Sequence, residues 1–105
     1  MRLEVEDEHL TALVACLALG ALHEIRAGRM STDVGIWSLA VPRFVDPLEG
    51  RVPAELVDVL RTCDELHAIE LLNPDHLAVA IDGLIGRIRE VLGTVAEPCF
   101  RADWG

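Results

Sequence analysis

Apolar residues recur along this chain at intervals of three and four, and that spacing predicts an all-α fold. The first and most apolar segment covers residues 7–27. Leu10, Leu13, Val14, Leu17 and Ala21 form one stripe, while Ala12, Ala15, Cys16 and Leu19 lie round the back. A helix apolar on nearly every side wants neighbours on nearly every side. Glu6, Asp7 and Glu8 place acids at its start, where the helix macrodipole favours them. Arg26 in the last turn and Gly28 just beyond read as its end. Residues 2–5 alternate polar and apolar, so they either open this helix or form an extended lead-in.

Ser31 and Thr32 are cap candidates for a short second helix that Pro42 stops. Gly35 weakens that helix by about 1 kcal/mol relative to alanine. Residues 42–53 hold three prolines and a glycine and read as a loop. Pro53 suits the first position of a third helix. Leu56, Val59, Leu60, Cys63 and Leu66 form its inner stripe, opposite Glu55, Asp58, Arg61 and Glu65. The helix is expected to loosen over 67–72, and Asn73-Pro74 restarts the chain. Leu77, Ile81, Leu84, Ile85, Ile88 and Leu92 then give the most regular stripe in the sequence, closed by Gly93. Within it, Gly83 and Gly86 read as permission for a close helix crossing. Residues 94–105 have no period. The expected architecture is a single domain over 1–105, with its core at about 7–93 and a tail at 94–105. It is a small helical bundle of two long helices, one middle helix and a short helical arm.

Composition agrees with helix-on-helix packing. A chain of 105 residues supports one modest core. Half of it is apolar (51%), the mean hydropathy is +0.34, and aromatics are limited to two Phe and two Trp. Leu, Val, Ile and Ala must therefore build the interior. The net charge of −9 argues against nucleic acid and against an anionic membrane surface. It suits solubility or a basic partner. Cys16, Cys63 and Cys99 make an odd, widely spaced set and no disulfide framework, which fits a reducing cytoplasm. Cys16 and Cys63 read as small core residues. The apolar run at 10–22 falls short of the roughly 20 residues of a membrane span, and its acidic flank is wrong for a signal peptide.

The chemistry-bearing residues are few. Cys63 and His67 share a helix face at a spacing two metal ligands use, with His76 the nearest third candidate. Asp64 and Glu65 lie on other faces. His9, Cys16 and His23 recur every seven residues, about 10.5 Å of rise, too far apart for one ion. No metal, cofactor or catalytic set is expected; Ser31 and Ser38 have no base beside them. The acids Asp58, Asp64, Glu65, Glu70 and Asp75 fall within eighteen residues opposed only by Arg61. They read either as a solvated helix face or as a docking surface for a basic protein. Ala12, Ala15 and Ala18 are small enough to admit a second helix closely, so a homodimer through this helix or the last one is expected.

The segments "AGRMSTD", "SLAVP", "DELHAIELLNPDHL" and "AVAIDGLIGRIREVLG", in that order, resemble a family of small bacterial all-helical proteins of unassigned function. The resemblance spans roughly residues 9–93 and implies the fold, with no catalytic residues. It also implies that "CDELH" is a helix-to-loop junction that turns Leu66, Ile69 and Leu72 into the core. The expected function is a non-catalytic interaction domain, either a homodimeric structural or regulatory protein or an immunity-type inhibitor of a toxin. The likeness to immunity proteins is one of size and charge only. The alternative is a small-ligand or regulatory domain with an apolar pocket in the bundle.

Overall fold

Helix α1 spans Asp7–Arg26, and its end follows from the glycine beyond it. Gly28 adopts φ 78°, a conformation costly for any residue with a Cβ. The Gly28 N–H donates to the Ile25 carbonyl at 3.0 Å and the Arg29 N–H to the Glu24 carbonyl at 2.9 Å. Those two bonds close the helix as a Schellman end. Arg29 then folds back, donating from Nε and Nη2 to the two Glu24 carboxylate oxygens at 2.7 and 2.8 Å. That contact holds the Glu24 carboxyl below its ordinary range.

The computed structural model describes residues 7–94, the side chains of 7, 8 and 36–38 excepted. The lead-in at 2–5, Cys99, and the packing of Phe100 or Trp104 in the tail lie outside the described residues. Helix α2, Thr32–Leu39, starts at Ser31, whose Oγ accepts the Val34 N–H at 3.2 Å. The segment expected to be a loop is largely helical. Pro42–Val45 forms the one-turn helix α3, and Asp46–Leu48 continues as a 3₁₀ turn. The prolines stand in the first turns of these elements, where a missing N–H is no loss. Gly50, at φ 80°, then reverses the chain.

Helix α4 is Ala54–Thr62, a 3₁₀ turn covers Cys63–Glu65, and helix α5 covers Leu66–Leu72. The irregularity is therefore at 63–65, earlier than the spacing suggests, and the chain is again helical over the stretch expected to loosen. Asn73, at φ −152° and ψ 76°, breaks the path, and helix α6 runs Pro74–Gly93 with proline in its first turn. The described residues thus form an all-α bundle.

Helices α1 and α6 make the most extensive contact in the bundle, with α5 and α4 also against α6. Ile81, Ile88, Leu84 and Ile85 fill the interior from α6, and Leu56, Val59 and Leu60 from α4. The surface α1 turns to this core is its small one: Ala15, Ala18 and Leu22 are fully buried, and Ala12 is 2% exposed. The expectation that Ala12, Ala15 and Ala18 form an uncovered patch is thus corrected. Bulky α6 residues need a thin partner, and alanine lets the two backbones approach. The larger residues of α1 are displaced outward, Leu17 to 53% exposed, and Cys16 is exposed where a core position was expected.

Two further expectations change. Leu66 is buried and Ile69 half-buried, but Leu72 is 86% exposed rather than turned into the core. Gly83 and Gly86 admit no close crossing: nothing lies within 4 Å of a Cβ built on either. Neither has a positive φ, so alanine fits both without strain. Gly83→Ala and Gly86→Ala should each stabilise the fold by about 0.5–1 kcal/mol in urea titrations, through helix propensity and a less flexible unfolded chain. A loss of stability would mean that something else packs there.

Candidate interaction surface

Cys63 and His67 do lie together at the junction of α4 and α5, but each is committed elsewhere. Cys63 is 1% exposed, and burial pushes its thiol from the ordinary 9.0 to about 11. His67 Nδ1 lies 3.1 Å from Thr32 Oγ1 and 3.3 Å from Asp33 Oδ1. With the ring neutral and its proton on Nε2, the Thr32 hydroxyl donates to Nδ1; with the ring charged, Nδ1–H faces the Asp33 carboxylate. Either way the imidazole ties α5 to the start of α2, where Thr32 is buried. His76 is exposed in the first turn of α6. Among the described residues no three His, Cys, Asp or Glu side chains converge as metal ligands.

The acidic run is not one surface. Asp58 is taken up by Arg87 of α6, whose Nη2 donates to Asp58 Oδ2 at 2.6 Å while Nε donates to Glu55 Oε1 at 2.7 Å. Those two carboxylates, Glu55 foremost, raise the Arg87 pKa further. Arg61, expected to oppose the run, instead turns to Glu49 at 2.9 Å and Asp46 at 3.4 Å. Asp64 and Glu65 lie exposed on the 3₁₀ turn, Glu70 is half-buried on α5 and Asp75 is exposed at the start of α6. Among the described residues these four carry no ion pair. The expected docking set thus loses Asp58 and is spread over three elements.

A groove of about 530 Å³ runs outside the bundle, floored by Val52, Ala54 and Val57 and rimmed by Glu49, Asp58 and Arg61. All three rim charges are already paired.

Among the described residues the outer face of α1 is exposed and apolar, as are Leu71 and Leu72 of α5 and Val79 of α6. Only 39% of His9–Arg26 is buried, although the segment is apolar and long enough to cross a membrane by length and composition alone, with mean hydropathy 1.2. It is longer than the 10–22 run because the flanking turns are helical too. Leu13 is half-buried, Cys16, Leu17 and Gly20 are exposed, and no atom lies within 4 Å of a Cβ at Gly20. The signal was present in the sequence: Leu13, Cys16 and Gly20 step by three and four, as a helix-packing seam does. Because the opposite face is apolar too, the pattern alone did not say which side is outward. No family model, curated protein or solved structure matches this chain. The functional reading therefore rests on the chain's own geometry.

The buried thiol gives a direct check on the Cys63–His67 junction. A two-unit rise leaves about a hundredfold less thiolate at pH 8. In a Cys16→Ser, Cys99→Ala protein, Cys63 should alkylate at least about a hundredfold slower folded than in urea, and added zinc should leave that rate unchanged. Stability held by the neutral thiol is complete below pH 9.0 and is lost as pH rises to about 11. Fast labelling of native Cys63, or its protection by zinc, would contradict this picture.

Proposed function

We propose that this protein is a non-catalytic interaction domain whose contact surface is the outward face of α1. One observation carries the reading: only 39% of the long apolar segment His9–Arg26 is buried, with Cys16 and Leu17 exposed. Monomeric domains seldom leave a contiguous apolar stripe uncovered on a central helix. Membrane insertion is a poor account of it. The helix pressed against α1 carries Asp82, Arg89 and Glu90 on its outside, and charges there cannot enter lipid cheaply. A reducing, cytoplasmic setting suits the free thiols Cys16 and Cys63.

Cys16 is a natural reporter of cover. In cells expressing the Cys99→Ala protein, Cys16 should be protected from a permeant maleimide and become reactive in dilute purified protein. Equal, fast labelling in both settings would refute a covered α1 face. Protection that persists in dilute protein would mean the chain covers the face itself, with the same consequence.

A second reading has its own support. Asp64, Glu65, Glu70 and Asp75 carry no ion pair among the described residues, and the chain's net charge is −9. A basic partner, as an immunity-type inhibitor would have, is steered by such charge. Its association should slow steeply with salt, since exposed charges are screened beyond about 8 Å at physiological ionic strength. An on-rate indifferent to salt would count against it.

A further inference from the structure

We draw no further inference here: the strongest candidate, the exposed apolar stripe on the outer face of α1 around Cys16 and Leu17, carries none, because nothing in the structure shows what covers it.

Discussion

The bundle depends on one contact, the alanine face of α1 against the isoleucine and leucine stripe of α6. Ala15 and Ala18 are fully buried there, and Ile81 and Ile88 fill the space that their small side chains leave. Replacing either alanine by a larger residue would force the two helices apart, at the cost that overpacking a close-packed interior carries. α6 also supplies polar pairs, one to α1 and two to α4. Arg26 of α1 reaches Asp82 at 3.3 Å, and Arg87 clasps Glu55 and Asp58 of α4. These pairs are solvent-exposed and each contributes little by itself. Their value is directional, since they fix how α4 and α1 lie along α6 once burial has brought them together.

Much of this was legible in the residues. The ends of α1 and α6 follow from Gly28, Asn73 and Pro74, whose backbone demands are local. The stripe Ile81, Leu84, Ile85, Ile88 is buried as its period requires, because the other side of α6 is charged and the choice of face is unambiguous. The orientation of α1 was not legible. Both of its sides are apolar, so its period allows either to be inside, and the decision is made by the bulk of α6, more than fifty residues away. The same distance in sequence hid the candidate site. Arg87 neutralises Asp58 across 29 positions and His67 meets Thr32 across 35, and no local pattern announces a partner so remote. The proline-rich segment misled for a different reason: proline opposes helix in the interior of one, but not in the first turn, and the segment consists of little besides first turns.

The His67 contact explains why "CDELH" looks like a half-built metal site. A cysteine and a histidine four apart must share a helix face, and here that face looks inward. Cys63 fills core volume, and the longer imidazole reaches past it to the capped end of α2. The geometry that ligation needs and the geometry that core packing plus one polar tether needs are the same over a single turn. They differ only in whether other donors arrive, and the element that does arrive brings the Thr32 hydroxyl and the Asp33 carboxylate.

Two local choices on the outer face of α1 then stand against the rest of the fold. Gly20 sits mid-helix, where glycine costs about 1 kcal/mol relative to alanine, and nothing beside it requires the missing Cβ. Leu17 faces water three residues away, where a polar side chain would cost the core nothing. Gly83 and Gly86 in α6 repeat the first departure and Leu71, Leu72 and Val79 the second, while caps, first-turn prolines and a terminal glycine stand where the backbone asks for them. Departures from local consistency that coincide in space mark a constraint from outside the isolated chain. An apolar chain with net charge −9 gains solubility from its charged surface, which lets Leu17 stand exposed.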